Sequence, residues 1–207
     1  VSIPQSPTPI HWNYFLALED DLYQLARYVE FTEANYDTYS IEIARVLLSA
    51  SAEVDSVLKQ LARRLSGDQE LRNIDHYFDS VTGYSAKFIH FEVTIPRYGL
   101  TLRPWTDWRK EDAPKWWSAH NKVKHQRHEM FEMATLKHCL NAMAALLISV
   151  LHLYADEAKR GVLIGLPKLF NVPQSFGGGQ RWDALGHSQL FYLNDEENPL
   201  FNLAGQA

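Results

Sequence analysis

The sequence predicts a mainly α fold, an up-down bundle of four or five helices with a short β-hairpin before the last helix and an irregular C-terminal tail. Three observations carry that expectation. Apolar residues recur at three- and four-residue spacing through most of the first 160 positions, which puts them on one face of successive helices. Clear alternation of apolar and polar residues comes at Ile89, Phe91, Val93 and Ile95, so extended structure is a minor feature. Beyond position 160, Gly, Pro and Asn crowd the chain and the helical period is lost. The 207 residues, 46% of them apolar, suffice for one substantial core. The expected organisation is a helical bundle domain over 1–160 with a hairpin insertion at about 88–104, and an extension over 161–207 that packs on the bundle or on a partner.

Taken in order, Thr8 and Pro9 suit an N-cap and first helical position, since proline gives up no hydrogen bond there. Trp12, Phe15, Leu16, Leu22, Leu25, Ala26 and Val29 then form one apolar stripe. The polar run FTEANYDTYS interrupts it and ends on Ser40, which can cap the next helix. That second helix, 41–65, has the clearest period: Leu47, Ala50, Val54, Val57, Leu58, Leu61 and Leu65 make a continuous seam. Ser66-Gly67 stops it, because glycine takes the left-handed backbone past a helix end. A shorter helix over 69–81 turns Leu71, Ile74, Phe78 and Val81 inward, with Gly83 as its stop. Pro96-Arg97-Tyr98-Gly99 then folds the alternating strand back onto 100–104, a hairpin that needs helices to lean on. The final helix is expected to start near Pro114 and run, with a kink, to about Asp156. In the tail a strand is readable over Gln189–Leu193.

The net charge of −5 argues against wholesale attraction to nucleic acid. Locally the sign reverses. Between 109 and 128, six cations (Arg109, Lys110, Lys115, Lys122, Lys124, Arg127) face only Glu111 and Asp112, a local +4 before any of three histidines is protonated. The single cysteine, Cys139, lies in an apolar run and has no internal disulfide partner, so a reducing, cytoplasmic setting is expected. VSIPQSPTPIHW has neither the basic start nor the apolar stretch of a secretory signal. The longest apolar stretch, 139–151, contains Asn141 and Ser149 and falls short of the ~20 residues that cross a bilayer. No membrane partner is expected.

The run WWSAHNKVKHQRHEMF, 116–131, carries the candidate chemistry. Read as helix, it puts Asn121, Lys124, His125 and His128 on one stripe with Arg127 beside Lys124. Histidine exchanges protons near neutrality, while lysine and arginine hold a phosphate or stabilise the charge that builds during its cleavage. Such a set suits metal-independent cleavage of RNA, with His125 as acid/base group and Arg127 or Lys124 as phosphate stabiliser. The same residues also fit a solvated helix surface, and cations at a helix N-terminus oppose its dipole by about a few tenths of a kcal/mol each. Glu53 lies at the edge of the second helix's seam, where an acid needs a partner. It is expected to approach and orient Lys124, His125 or Arg127.

No metal or cofactor is expected. His128-Glu129-Met130-Phe131-Glu132 begins like the HExxH zinc helix but has Glu132 where the second histidine belongs. Gly177-Gly178-Gly179 lacks the Lys-Ser/Thr of a phosphate-binding loop. Trp105, Trp108, Trp116 and Trp117 flank the basic segment, where interleaved aromatics can stack bases; here they are expected to clamp the proline-rich connection onto the core. Lys137, His138 and Asn141 interrupt the late helix on one side, as a polar seam or a dimer contact.

A helical bundle whose final helix opens with N-x-x-K-H-x-R (Asn121, Lys124, His125, Arg127) and continues through F-x-x-A-x-L (Phe131, Ala134, Leu136) into small and apolar residues resembles the HEPN superfamily of bacterial and archaeal helical proteins, over about 12–154. The resemblance implies a four- or five-helix bundle, a homodimer in which two copies of the polar motif meet in a cleft, and RNase activity in toxin–antitoxin or phage-defence settings. The chain departs from the family at one point. The catalytic signature is an arginine followed after four to six residues by histidine, whereas Arg127 is followed directly by His128 and next by His138. The one formal match, Arg181 to His187, lies in the tail. Two functions follow. One is a HEPN-like protein that engages RNA or a nucleotide through Asn121, Lys124, His125 and Arg127 and, if it is an enzyme, is a metal-independent endoribonuclease. The other is a non-catalytic, dimeric interaction module whose basic surface grips an antitoxin or another acidic protein.

Overall fold

The computed structural model describes residues 8–85, 87–172, 178–182 and 189–193, the last two as backbone only. The chain is mainly α. Seven helices are described: α1 (Ile10–Leu25), α2 (Ile41–Ser66), α3 (Ile74–Tyr84), α4 (Lys115–His125), α5 (Arg127–Met130), α6 (Leu136–Leu153) and α7 (Ala155–Arg160). The expected hairpin is present between α3 and α4, with β1 (Val93–Ile95) antiparallel to β2 (Leu100–Leu102) and Val93 opposite Leu102. Its inward residues Val93, Ile95, Leu100 and Leu102 are all buried, so the hairpin leans on the helices as an isolated pair must.

The long seam of α2 finds its partner in α6, with α1, α3 and α4 packed around that pair. Ser40 caps α2, its hydroxyl accepting from the Ile43 N–H at 3.1 Å, and Gly67 closes it at φ +73°, the conformation for which glycine was expected there. Helix α6 is the one described helix long and apolar enough to cross a membrane by length and composition. It is instead enclosed by its own chain: every side chain on it is buried except Lys137, His138 and Asn141. A homodimer through this helix, as expected from the sequence, has only that three-residue strip left to use.

The single helix expected from Pro114 to Asp156 is broken into four. Gln126 leaves helical backbone at φ −133° and ψ 40°, α5 adds one turn, and Phe131–Met133 is 3-10. Thr135 then caps a new start, its hydroxyl accepting from the His138 N–H at 3.3 Å. The other early N–H groups of α6 are taken by the chain between α1 and α2: Leu136 donates to the Thr38 carbonyl at 2.8 Å and Lys137 to that of Tyr36 at 3.1 Å. A helix start normally leaves such donors orphaned. Here a remote loop satisfies them, and no local residue pattern announces it.

The extension from residue 161 is more regular than expected. Strand β3 (Leu163–Ile164) and β4 (Gly178–Trp182) both pair antiparallel with β5 (Gln189–Leu193), in the order β3-β5-β4. Only β5 was readable in advance. Before the sheet closes, Leu163, Leu169, Phe170 and Val172 bury themselves on the bundle, and Asn171 exchanges backbone hydrogen bonds with Thr94 of the hairpin. Val1 to Pro7 and His187 lie outside the described residues, so the formal Arg181–His187 pair has only Arg181, in β4, placed.

One local strain is visible. Between the mutual backbone hydrogen bonds of Arg109 and Asp112, Glu111 holds φ +66°, a region that costs a residue with a Cβ about 1 kcal/mol or more. Glu111→Gly is expected to raise stability by about 0.5–1 kcal/mol, after the extra unfolded-state freedom of glycine is set against the relief. An unchanged or lowered urea midpoint would show that the turn carries no such strain.

Candidate functional site

The break at Gln126 reverses the electrostatics of the basic cluster. Lys122, Lys124 and His125 occupy the last turn of α4, not the first turns of a long helix. Cations are favoured there by the negative end of the helix dipole. All three are exposed, as are Asn121, Gln126, Arg127 and His128.

The break also divides the predicted set. Asn121 and Lys124 line a cleft of about 420 Å³ together with Trp117 and His120 of α4, Ala52 and Asp55 of α2, and the start of α3 from Arg72 to Asp75. Arg127 lies beyond the break, with its guanidinium over the Phe131 ring at 5.4 Å, and His128 is 3.3 Å from Glu129. The His125 side chain makes no hydrogen bond among the described residues. Asn121, Lys124 and His125 keep the expected stripe on α4, and His128, beyond the break in α5, leaves it.

Glu53 is the clearest correction. Its carboxylate pairs with His11 of α1 at 2.5 Å, and the second nitrogen of that ring accepts from the Gln60 side-chain amide at 2.9 Å. Because the amide N–H donates to Nε2, Nδ1 carries the proton that goes to Glu53. Asp55, two residues on, is the acid of α2 that faces the cleft, where its carboxylate accepts from the Tyr77 hydroxyl at 3.2 Å. Two residues along a helix rotate a side chain by over half a turn, which separates the α1 face from the α4 face. No ion pair links Glu53 to Lys124, His125 or Arg127 among the described residues.

The buried histidine of the cleft is His120, 4% exposed and edge-on to Trp117. Burial, then the nearby charges of Lys124 and His125, push its imidazole down to about 4, so it stands neutral at pH 7. Its Nδ1 is buried without a hydrogen-bond partner among the described residues. No residue pattern marks Asp55, Arg72 or Asn73 as cleft residues, since each reads as ordinary helix surface or cap. In the cleft's lining Arg72 and Lys124 are matched by Asp55 and Asp75, and Arg72 is further held by Glu70 at 2.6 Å.

The four tryptophans that flank the basic segment are core. Trp105 and Trp108 are fully buried, Trp116 and Trp117 nearly so, and the first two pack on Phe88 and Phe78 and on one another. The Trp116 indole donates to the Pro104 carbonyl at 2.8 Å, tying the connection to α4. They offer no stacking platform. Cys139 is also core: burial pushes its thiol up to about 12, which leaves it unreactive at neutral pH. Among the described residues no three or more His, Cys, Asp and Glu side chains stand together as potential metal ligands.

Fold and surface together define a mainly α bundle protein with a compact basic patch at one helix end. No family model matches the chain, and neither does any curated protein or solved structure.

Proposed function

We propose that this protein is a HEPN-like binding module that engages RNA or a nucleotide through Lys122, Lys124, His125 and Arg127, with Asn121 and Lys124 at the mouth of the adjoining cleft. The observation that carries the reading is the grouping of exposed cations at the negative end of α4, in a chain of net charge −5. Phosphates are held by such side chains whatever the base sequence, and binding of that kind weakens steeply with salt. Binding is favoured over cleavage because a catalytic histidine needs a third group to orient it. The His125 side chain makes no hydrogen bond among the described residues, and Glu53 is engaged with His11. A homodimer would present two such patches, and an acidic protein surface is the competing ligand for the same charges.

Fluorescence anisotropy with a labelled single-stranded RNA, measured across a salt series, tests this. The combined Lys122→Gln, Lys124→Gln and Arg127→Gln variant is expected to weaken binding by about tenfold or more and to flatten the salt slope by roughly two. All three side chains are exposed, so the variant should fold. RNA affinity unaltered by the triple change would end the reading. RNA cleavage above background that disappears in His125→Ala would turn the module into an RNase.

A further inference from the structure

A second cleft, of about 240 Å³, lies at the opposite end of α4. Arg103, Pro104, Thr106 and Asp107 bound it from the connection after β2, Lys115 and Trp116 from the start of α4, and Lys137, His138 and Asn141 from α6. The last three are the polar strip that interrupts the otherwise buried α6.

Charge singles this cleft out. Arg103, Lys115 and Lys137 against Asp107 leave a formal +2 on its lining. Glu92, outside the lining, holds the Arg103 guanidinium at 2.6 Å, and the balance stays at +1 when that pair is set aside. By the same count the clefts at Glu19, at Asp55 and at Asp21 come to −1, 0 and −1. The ammonium groups of Lys115 and Lys137 form no ion pair among the described residues, and Lys137 is only steadied over the Tyr36 ring at 5.8 Å.

Hydrogen bonding gives the site a second, independent character. His138 Nδ1 is 2.9 Å from the Met133 carbonyl, which only accepts, so Nδ1 carries the proton and Nε2 is left with a lone pair. Burial holds this imidazole below its ordinary value, the Met133 bond only partly opposing it, and keeps the ring neutral at pH 7. The Asn141 side-chain N–H donates to the Lys137 carbonyl at 2.8 Å, leaving its oxygen as a further acceptor. One Asp107 oxygen accepts the Lys115 backbone N–H at 3.1 Å, and the Trp116 indole is committed to Pro104. The cleft thus combines two cations without ion pairs among the described residues with side-chain acceptors.

We propose that this cleft binds inorganic phosphate, its charge taken by Lys115 and Lys137 and its P–OH donated to His138 Nε2 or the Asn141 oxygen. Acceptors beside cations select an oxyanion that still carries a proton. Near neutrality phosphate does and sulfate does not. A phosphodiester within RNA has no such proton either, and the cavity is smaller than the usual range for drug-sized ligands. The ligand is therefore inorganic phosphate, distinct from the polymer proposed for the other end of α4.

The test is calorimetric titration of the whole chain with inorganic phosphate, with sulfate and an RNA lacking terminal phosphates as parallel arms. Phosphate is expected to bind saturably at one site per chain, with sulfate about tenfold weaker. Lys115→Gln and Lys137→Gln, both exposed positions, should each weaken phosphate by about tenfold, while Lys124→Gln leaves it unchanged. His138→Phe should bring phosphate down towards sulfate. The proposal is overturned by an absence of saturation, by equal affinity for sulfate, or by loss of binding through Lys124→Gln in place of Lys115→Gln. RNA that competes with phosphate and is lost in Lys115→Gln would equally overturn it, by giving the cleft to the polymer.

Discussion

Replacing Glu19 with alanine is expected to cost about 3 kcal/mol of stability and to lower the thermal midpoint by about 10 °C. Glu19 is 1% exposed, and its two oxygens accept three consecutive backbone N–H groups: Lys168 at 2.7 Å, Leu169 at 2.9 Å and Phe170 at 3.0 Å. Burying a carboxylate is costly, and burial indeed pushes this carboxyl above its ordinary value, with Asp20 adding to the rise and the three donors opposing it. Removing it is costlier still, because the donors of a buried segment lose their acceptor. The segment it holds carries Leu169, Phe170 and Val172 onto the core, Phe170 packing on Phe15. Limited proteolysis near 165–172 should therefore appear in Glu19→Ala along with the lower midpoint. Glu19→Gln keeps an acceptor oxygen and should lose less. A carboxyl raised on folding favours the folded state most below about pH 4.5 and loses that contribution as pH rises through its folded value. The glutamine variant should lack that decline. Alanine and parent melting together would show that the 163–172 segment does not depend on this anchor.

The second large effect is acid lability from His152. This ring is 5% exposed, wedged edge-on between Phe88 and Phe91 at 4.8 and 5.6 Å, with Nδ1 donating to the Ile148 carbonyl at 2.7 Å. Burial pushes its imidazole down to about 4, the Ile148 bond only partly offsetting it. The unfolded chain takes up the proton near pH 6.5. The folded chain refuses it until about pH 4, so stability is full above the unfolded value and drains away as pH falls through that window. The loss from this one group should reach about 3 kcal/mol, and His120 adds to it in the same direction. Urea midpoints at pH 7 and pH 4.5 measure it. His152→Phe fits an aromatic slot and binds no proton, so its midpoint should move much less between the two. A profile as steep as the parent's would show that the proton goes elsewhere.

How much of this was legible in advance depends on whether the cause was local. The α2 seam, the Ser40 cap, the Gly67 stop and the hairpin follow from spacing and single-residue chemistry, and each is present. The break at Gln126 has no proline or glycine to announce it, and the new start at Leu136 was not legible because Tyr36 and Thr38 supply its carbonyls from across the bundle. The break moved the basic residues from the front of a helix to its back. It also split Arg127 from Asn121 and Lys124. Glu53 was rightly suspected of needing a partner, but periodicity cannot tell which neighbouring helix a boundary residue will face, and His11 was the answer. The strands β3 and β4 were hidden for a related reason: a two-residue strand and a glycine-rich one carry no alternation of their own and exist through pairing with β5. Lys137, His138 and Asn141 were visible as an interruption of an apolar helix. Their neighbours Arg103 and Lys115 were visible only as charge.

The enclosure of α6 has a consequence for how the chain comes into being. The seam of α2 has no cover of comparable extent until α6 exists, and α6 is among the last helices to be synthesised. During translation the part of the α2 seam that α6 covers must therefore wait for a segment encoded far downstream. Chains arrested before residue 136 would present a sticky apolar ridge, the kind of surface that chaperones hold and that aggregates otherwise. Only once α6 is made can its first N–H groups meet the carbonyls of Tyr36 and Thr38 and its apolar faces complete the bundle.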